Sequence, residues 1–548
     1  MKRFPGVTLL LCAIGVNSMR AQTDMNAVLD TIQLTAFNFF WNEANPDNGL
    51  IRDRARVDGS TPSYIPSSIA SVGFGLSAIC IGVDHGWVSR ADASARVLTT
   101  LKTFWKGPQG IGDGYSGLYG LYYHMLDMST ATRTWSSELS TIDTGLLLAG
   151  IIDAKQYFDG SDPAEVSIRA YADSIYYRMN WDLMRNFHDG ILLGYMPGHG
   201  FAYDAGGGNI VPYPEWVGYC EASIMYIMAM GSPTYPVDYR GWAKWTSGYQ
   251  WHTEYGYQYV VFPPLFGHQY SQCWIDFRGI QDTFMRAHGI DYFENSRRAT
   301  LAQRAYCAAN PGGFVGYSDS LWGITASDVP GSLHSGNTYM ARGAPPAQDD
   351  DGTITPTAPI SSIAFAPDSV ISFIRNLWNN YRSQVWTKYG FRDAFNLSTS
   401  APWYDTDVIG IDQGPIIIMI ENYRTGRVWN RFMKNADVQR GLQAAGFLPT
   451  TGIEENASPV PQSFELEQNY PNPFNPTTVV SGQWPVASVV RLTVYDVLGR
   501  EVGVLADGRY PAGKYSFGFN ARGLASGVYF YRLSAGSYSA TKAMLLER

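Results

Sequence analysis

Residues 145–152 have the sequence GLLLAGII, and residues 416–420 have the sequence IIIMI. Neither stretch has a polar face at helical spacing, so a helix built from it must be packed on every side. Residues 28–40 instead repeat apolar side chains along one face, at offsets 0, 1, 4, 8, 11 and 12 from the first residue. Residues 370–381 do the same at offsets 0, 1, 4, 7, 8 and 11. The two kinds of helix predict an inner layer surrounded by an outer one.

Residues 22–450 contain about twelve candidate helices by this criterion. Such a set in two concentric layers fits an all-α (α/α)6 toroid, in which helical hairpins close into a ring. The connections 107–127, 186–214 and 313–357 are long and rich in Gly, Tyr, Trp and His. Loops of this length are uncommon in compact domains unless they are functional, and in a toroid they would line a cleft at one end.

Residues 1–21 are predicted to be an export signal that is removed. A positively charged start precedes an apolar run of ten residues, 7–16, with Ala21 as the expected last residue before cleavage. A helix that spans a bilayer needs about 20 residues, so this run is too short for one. No later segment reaches that length, which predicts a mature chain without a transmembrane segment.

The C-terminal part has a different pattern. Residues 451–463 (TGIEENASPVPQS) are polar and contain proline, as expected of a linker. Residues 489–495 (VVRLTVY) and 528–533 (VYFYRL) alternate apolar and polar side chains, which is the strand period. Residues 464–548 are therefore predicted to form a small antiparallel β-sandwich.

The composition favours a neutral ligand. Aromatic residues make up 14% of the chain, charged residues only 16%, and the formal net charge is −8. A mildly acidic chain without basic blocks is a poor nucleic-acid binder, because phosphate neutralisation needs clustered Lys and Arg. Neutral aromatic surfaces suit uncharged polyhydroxylated ligands, although a large aromatic core is the alternative. Buried free thiols are favoured over a disulfide set for the cysteines of the mature chain, Cys80, Cys220, Cys273 and Cys307.

Common metal, redox and acyl-transfer motifs are absent from the sequence. It contains no His-Glu-x-x-His, no Cys-x-x-Cys, no phosphate-binding glycine loop and no Gly-x-Ser-x-Gly. Residues 349–352 (DDDG) fail the spacing of a calcium loop, because Ala347 stands where the first ligand should be. We expect an acidic surface turn there, and neither a metal nor a cofactor in the protein.

Four carboxylates at the margins of apolar segments remain as candidates for chemistry. Glu221 lies on an apolar stretch with no cation within four residues, so its pKa should be raised, as a general acid requires. Asp143 and Asp412 directly precede the all-apolar helices and could be helix caps. Asp276 is expected to pair with Arg278.

Asp412 has a second predicted property. It precedes Gly414-Pro415, and proline is favoured at the first helical position. The positive end of the helix should then keep its carboxylate ionised.

A protonated carboxyl and an ionised carboxylate that flank a cleft lined by Trp and Tyr are what glycoside hydrolysis needs. The sequence therefore predicts a secreted glycosidase. A polysaccharide lyase is the first alternative, but lyases need an acidic substrate and usually a cationic cleft. A non-catalytic glycan-binding surface protein is the second, but binding alone gains little from a desolvated Glu221.

Several blocks of the chain resemble the glycoamylase-like family of bacterial (α/α)6 enzymes, whose characterised members include the β-1,2-glucanases of glycoside hydrolase family 144. The blocks are 139–158, 219–233, 262–279, 322–328, 389–396 and 410–426. The resemblance covers most of residues 25–447 and implies anomer-inverting hydrolysis of β-1,2-glucan, with other glucan linkages as an alternative.

The same resemblance implies residue roles. Glu221 matches the family's acid, and Asp143 and Asp412 match its other essential carboxylates. Cys220 stands where the family often has asparagine, which bears on fine substrate preference. The predicted substrate contacts in or beside these blocks are Glu138, Tyr219, His268, Trp274, Asp276, Arg278, Trp322, Asp393 and Gln413.

The tail resembles the C-terminal sorting domain of type IX secretion. The resemblance rests on residues 468–476 (QNYPNPFNP), 494–502 (VYDVLGREV), 527–531 (GVYFY) and the terminal 542–548. It implies a partner in the type IX secretion machinery and export through the periplasm. The protein would end up secreted or attached to the cell surface.

Overall fold

The computed structural model describes residues 24–60, 64–334, 339–347, 349–450, 463–486, 488–510, 513–536 and 538–547. The predicted export signal, and the predicted linker apart from Ser463, lie outside the described residues. Among the described helices, none is long and apolar enough to cross a membrane.

The large N-terminal part is helical, as predicted. Its described helices are α1 Met25–Asn42, α2 Ile69–Asp84, α3 Arg90–Lys106, α4 Thr141–Tyr157, α5 Pro163–Arg178, α6 Ser223–Gly231, α7 Tyr239–Thr246, α8 Thr283–His288, α9 Tyr292–Ala309, α10 Thr357–Ile360, α11 Pro367–Asn376, α12 Arg382–Val385, α13 Gly410–Thr425, α14 Arg427–Phe432 and α15 Ala436–Ala444. Short 3-10 turns lie at Leu183–Arg185, Leu265–His268 and Ser271–Cys273, and a π-helical turn lies at Leu377–Tyr381.

The all-apolar helices lie inside, as predicted. Residues 145–152 in α4 and 416–420 in α13 are buried throughout. Helix α2 packs against both α4 and α13, α4 also packs against α6, and α13 against α10. The contact between α2 and α4 is close because both helices carry glycine there: a Cβ on Gly150 would lie 1.9 Å from the carbonyl oxygen of Gly73.

The one-sided helices lie around this inner group. Helix α1 buries the residues of its predicted apolar face and packs on α2 and α13, while α3 packs on α5. The predicted helix over 370–381 is helical throughout, but it is not one regular α-helix. Helix α11 begins at Pro367 and ends at Asn376, after which the π-helical turn and α12 take over.

Short strands join the loops that precede the inner helices. These strands are β1 Arg54–Arg56, β2 Ser67–Ser68, β3 Gly117–Leu118, β4 Leu121–Tyr123, β5 Met125–Leu126, β6 Leu139–Ser140, β7 Gly194–Tyr195, β8 Ala202–Asp204, β9 Ile210–Pro212, β10 Trp251–Glu254, β11 Tyr257–Val260, β12 Ile280–Gln281, β13 Ala326–Asp328, β14 Tyr339–Ala341, β15 Thr353–Ile354, β16 Trp386–Thr387, β17 Gly390–Phe391, β18 Phe395–Asn396, β19 Trp403–Tyr404, β20 Asp407–Ile409 and β21 Leu448–Pro449.

The pairing of these strands places the starts of the inner helices at one end of the domain. Strand β2, directly before α2, pairs with β5 in the loop before α4. Strand β6, directly before α4, pairs with β7 in the loop before α6. Strand β20, directly before α13, pairs with β1 in the loop before α2. The long loops therefore meet around the N-terminal ends of α2, α4, α6 and α13.

The C-terminal part is an antiparallel β structure, as predicted. Its strands are β22 Glu465–Leu466, β23 Thr477–Trp484, β24 Ser488–Tyr495, β25 Glu501–Tyr510, β26 Gly513–Asn520, β27 Gly527–Ala535 and β28 Tyr538–Leu546. They form two sheets, ordered β22-β23-β26 and β25-β24-β27-β28. Both sheets contribute to one apolar core, in which Trp484 stacks on Tyr515 with ring centroids 4.4 Å apart.

Candidate active site

Glu221 lies two residues before α6, at the end of the domain where the long loops meet. It is 9% exposed, and its Oε2 has no hydrogen-bond partner among the described residues. Burial raises the pKa of Glu221 to about 7, and the nearby Asp143 adds to the rise. The main-chain carbonyl of Glu221 accepts a hydrogen bond from Ser271 Oγ at 2.6 Å, which fixes the backbone. The buried setting predicted from the sequence is confirmed.

Asp143 is the third residue of α4, and it is not the cap. The cap is Ser140, whose Oγ accepts from the Asp143 N–H at 3.2 Å and donates to Asp143 Oδ2 at 2.6 Å. Asp143 Oδ2 also lies 3.6 Å from His124 Nε2. Burial raises the pKa of Asp143, and the charge of His124 opposes that rise.

His124 was missed by the sequence analysis, although it lies in one of the glycine- and tyrosine-rich loops. Its Nδ1 is 3.0 Å from Glu138 Oε1, so the imidazole bridges Glu138 and Asp143. Burial alone would lower the pKa of His124, but the two carboxylates raise it to about 10. His124 is therefore an imidazolium at neutral pH.

Asp412 is the third residue of α13, which begins at Gly410 with Ile409 as its cap residue. The prediction that the helix starts at Pro415 is wrong, because the helix continues through Pro415. The predicted effect of the helix N-terminus, which was expected to keep the Asp412 carboxylate ionised, is outweighed by burial. Burial raises the pKa of Asp412 to about 7, although a hydrogen bond with Asp393 opposes the rise.

Asp393 lies behind Asp412 and is 3% exposed. Its Oδ2 accepts from the Asp328 N–H at 2.7 Å. Burial, the charge of Asp412 and the hydrogen bond with Asp412 raise the pKa of Asp393 well above its usual range. The pKa of Asp393 is raised more strongly than that of Asp412, so a proton taken up by the pair favours Asp393 over Asp412.

Arg54 partly balances the charge around this pair. Its Nη1 lies 2.8 Å from Asp328 Oδ2 and 3.3 Å from Asp407 Oδ2, and its Nε lies 3.0 Å from Asp53 Oδ2. Burial also raises the pKa of the neighbouring Asp405 to about 9, with the charge of Asp393 as a second cause. None of these five residues was predicted from the sequence, because they come from three separate segments of the loops, at 53–54, 328 and 405–407.

Within the described part of the chain, two groups of side chains bring potential metal-ligand atoms within 4.8 Å of one another. They are His124, Glu138 and Asp143, and Asp328, Asp393 and Asp405. Metal binding would require neutral His124, whose pKa is raised by the two carboxylates. In the second group, Arg54 already pairs with Asp328, and the raised pKa of Asp393 favours its neutral form, so both effects oppose the binding of a cation.

Other predicted substrate contacts fall near the three carboxylates. Glu138 binds His124, and Asp393 binds Asp412. Gln413 follows Asp412 in α13 and is 3% exposed. These residues form one site with Glu221 and Asp143 at the N-terminal ends of the inner helices.

Tyr219 and His268 pack behind Glu221. Their ring centroids lie 4.8 Å apart, and His268 is 1% exposed. Burial lowers the pKa of His268 to about 3, so its imidazole is neutral. Both residues support the loop that carries Glu221.

Trp274 and Trp322 lie in the core, which corrects their predicted contact with substrate. Both are 0% exposed. Trp274 Nε1 donates to Ser77 Oγ at 2.8 Å, and its ring stacks on Phe74 at 4.9 Å. Neither indole has a free face for a sugar ring.

The predicted Asp276–Arg278 ion pair is confirmed, at 2.7 Å between Asp276 Oδ2 and Arg278 Nη2. Its predicted contact with substrate needs correction. The Arg278 guanidinium lies 4.3 Å from the ring of Trp429 in α14. Helix α14 follows the C-terminal end of α13, which lies about 20 Å from Asp412 along the helix. The pair therefore lies at the opposite end of the domain from the site.

Residues 349–351 also differ from the expected surface turn. Asp350 accepts hydrogen bonds from the hydroxyls of Tyr306 and Tyr317, and Asp351 pairs with Arg342 at 2.9 Å. These carboxylates hold loops together. The four cysteines of the described chain are buried free thiols, as predicted.

Comparison with known proteins places this site in a family. Residues 213–436, which include Glu221 and Asp412, match the family model described as "Putative glucoamylase". The crystal structure of a putative glucoamylase from Bacteroides uniformis is 30% identical, with a TM-score of 0.69, and the match covers 78% of this chain and 99% of that one. The chain belongs to the glycoamylase-like family.

Two further relatives of this glycoamylase-like chain are named for β-1,2-glucans. A crystal structure of an endo-β-1,2-glucanase from Chitinophaga pinensis, with sophorotriose and glucose, is 28% identical with a TM-score of 0.68, covering 78% of this chain and 99% of that one. An exo β-1,2-glucooligosaccharide sophorohydrolase from Parabacteroides distasonis is 29% identical over 455 residues, which are 76% of this chain and 57% of the relative. The chain thus spans little more than half the length of that curated relative.

The tail of the glycoamylase-like chain matches a second family model. Residues 468–547 match a secretion system C-terminal sorting domain. The resemblance noted for both parts of the sequence is therefore confirmed.

Proposed function

We propose that this chain is an exported, anomer-inverting glycoside hydrolase that cleaves β-1,2-linked glucans in the cleft of an (α/α)6 toroid. One observation carries the proposal: Glu221 is a buried carboxyl, its Oε2 has no described hydrogen-bond partner, and its pKa is raised to about 7. A group of this kind holds a proton ready for a leaving group. The relatives named for β-1,2-glucans support the linkage.

Glu221 donates its proton to the departing glycosidic oxygen. Asp412 accepts the proton of the attacking water, directly or through a relay, and Asp393, whose pKa is raised more strongly, is the member of the pair that holds a proton first. Asp143, in contact with the His124 imidazolium, is placed to hold a substrate hydroxyl or a water. Glu138 and Gln413 complete the polar wall, and no step requires a cofactor or a metal.

The proposed organisation follows the sequence. Residues 1–21 form a signal that is removed, 22–450 the hydrolase domain, 451–463 a linker and 464–548 the sorting domain. The substrate is a glucan, and the protein partner is the type IX secretion machinery. The protein is released or attached to the cell surface after passage through the periplasm.

A reducing-sugar assay on β-1,2-glucan, β-1,3-glucan and starch tests this function. We expect release of reducing ends from β-1,2-glucan alone. Activity on another glucan with none on β-1,2-glucan would assign a different linkage specificity. Unsaturated products that absorb in the ultraviolet would indicate a lyase. Binding of a glucan without cleavage would indicate a non-catalytic glycan-binding protein.

The stereochemical course is a further prediction. An inverting site separates its two carboxyls by about 6.5–9.5 Å to leave room for water, whereas a retaining pair lies about 5–5.5 Å apart. We expect a Glu221–Asp412 separation at or above the inverting range, with a relay of water or substrate hydroxyl if it is longer. Proton NMR of fresh product should show the α anomer first, and the β anomer first would contradict inversion.

The tail is expected to be dispensable for catalysis and needed for export. A chain ending at Thr450 keeps the pairing of β21 with β12 and the hydrogen bond from Thr450 N–H to the Gly279 carbonyl at 2.8 Å. It should fold and retain the kcat of the full chain on purification, but remain inside its native cell. An insoluble or inactive product would show that residues 464–548 belong to the hydrolase core.

A further inference from the structure

Two exposed aromatic side chains lie at the rim of the candidate active site. Trp135 is 58% exposed and Tyr64 is 40% exposed. Their ring centroids lie 6.2 Å apart, at 71° to each other. Neither residue is among the substrate contacts predicted from the sequence.

The backbone at Trp135 is strained. Trp135 has a φ of 54° and the following Ser136 a φ of 50°, a region that residues with a Cβ rarely adopt. Such strain persists only where the surrounding structure enforces it, and it is concentrated at functional sites. Because more than half of the Trp135 side chain is exposed, burial of the indole does not account for this strained conformation.

Hydrogen bonds hold the Tyr64 side of the pair in place. The Tyr64 hydroxyl donates to Asp127 Oδ2 at 2.8 Å, while Asp127 Oδ1 accepts from the N–H of Ser129 and Thr130 at 2.9 and 2.8 Å. These hydrogen bonds lower the pKa of Asp127, with the Ser129 hydroxyl as the largest cause. The two rings are thus presented to solvent on a fixed support.

Trp135 lies in the segment 124–138, whose two ends are hydrogen-bonded to each other beside the candidate active site. His124 N–H donates to the Glu138 carbonyl at 2.9 Å, and Thr134 N–H donates to the Met125 carbonyl at 3.0 Å. Trp135 lies only three residues from Glu138, whose carboxylate binds His124. The aromatic pair therefore extends the cleft outward from the Asp143 side.

We propose that Trp135 and Tyr64 form a sugar-stacking platform that binds a glucose unit of the polymer beyond those that flank the cleaved bond. The proposal rests on the proposed function. The apolar C–H face of a pyranose ring packs on an aromatic face, and a rigid ring loses little entropy on binding. A short oligosaccharide that fills only the subsites around Glu221 does not reach this platform.

The test compares Trp135→Ala, Trp135→Phe and Tyr64→Ala in the full chain, with Tyr423→Ala as a control. Tyr423 is also 40% exposed, but it lies near the C-terminal end of α13, away from the site. Kinetics are measured on long β-1,2-glucan and on the shortest β-1,2-oligosaccharide that the wild type cleaves. Circular dichroism and Tm confirm that each variant is folded.

We expect Trp135→Ala to raise KM for the polymer about tenfold with kcat unchanged, which corresponds to the loss of about 1.4 kcal/mol from one stacking contact. Trp135→Phe should recover most of that loss, Tyr64→Ala should act in the same direction as Trp135→Ala, and Tyr423→Ala should match the wild type. The short substrate should be cleaved normally by all four variants. An unchanged polymer KM in Trp135→Ala, or an equal loss on both substrates, would overturn the platform.

Binding separates this proposal from the proposed function. If the wild type cleaves no glucan, calorimetric titration with β-1,2-glucan, β-1,3-glucan and soluble starch replaces the kinetics. A glucan that binds the wild type and loses affinity in Trp135→Ala supports the platform even though hydrolysis fails. Equal affinity in both proteins, or no binding of any of the three glucans, overturns it.

Discussion

Glu221→Gln is expected to lower kcat on β-1,2-glucan by roughly 10²–10⁴. The substitution keeps the shape of the side chain and removes the proton that the leaving oxygen needs. The matched control is Glu165→Gln, which makes the same chemical change on the outer helix α5. The Glu165 side chain is 5% exposed and pairs with Arg90 of α3. It should change stability but leave kcat unaltered.

The leaving group distinguishes an acid from any other essential residue. A nitrophenyl glycoside leaves as a stabilised anion and needs little protonation, so Glu221→Gln should lose far less activity on it than on the polymer. The wild-type profile should also fall above about pH 7, where Glu221 loses its proton, and the variant should lack that limb. If Glu221→Gln keeps an activity on β-1,2-glucan within a factor of a few of the wild type, Glu221 is not the general acid.

Asp412→Asn is expected to cause a loss of similar size, roughly 10²–10⁴ in kcat, on both the polymer and the nitrophenyl glycoside. The base acts on the water, so a better leaving group cannot replace it. Asp437→Asn, at a side chain that is 8% exposed in the first turn of α15, is the control and should retain full activity.

Chemical rescue sharpens this second test. Asp412→Ala leaves space beside the anomeric carbon, and azide needs no base to attack. Added azide should restore turnover and give the α-glycosyl azide. A β-glycosyl azide, or no rescue with normal folding, would contradict Asp412 as the base of an inverting reaction.

The sequence predicted those parts of the fold and site that depend on local pattern. The all-apolar segments 145–152 and 416–420 could only be inner helices, and Glu221 lacked any nearby cation. His124, Arg54 and Asp328 could not be found in this way. They reach the site through strand pairs of two or three residues, such as β1 with β20, which carry no periodic signal.

The sequence also could not rank aromatic residues. Trp274 and Trp135 are the same residue type, yet one lies in the core and the other is 58% exposed. Only packing separates them. In the same way, the sequence placed Asp412 near a helix start. It could not show that Asp393, whose carboxyl affects the pKa of Asp412, approaches from another loop.

The short strand pairs that tie the loops to one another have a thermodynamic consequence. Because β1 is fixed to β20, β2 to β5 and β6 to β7, the conformational entropy of these loops is lost when the domain folds, not when the glucan arrives. More of the interaction energy with the polymer then remains as affinity. The cleft is preorganised, and amide exchange in these strands should be as slow without substrate as with it.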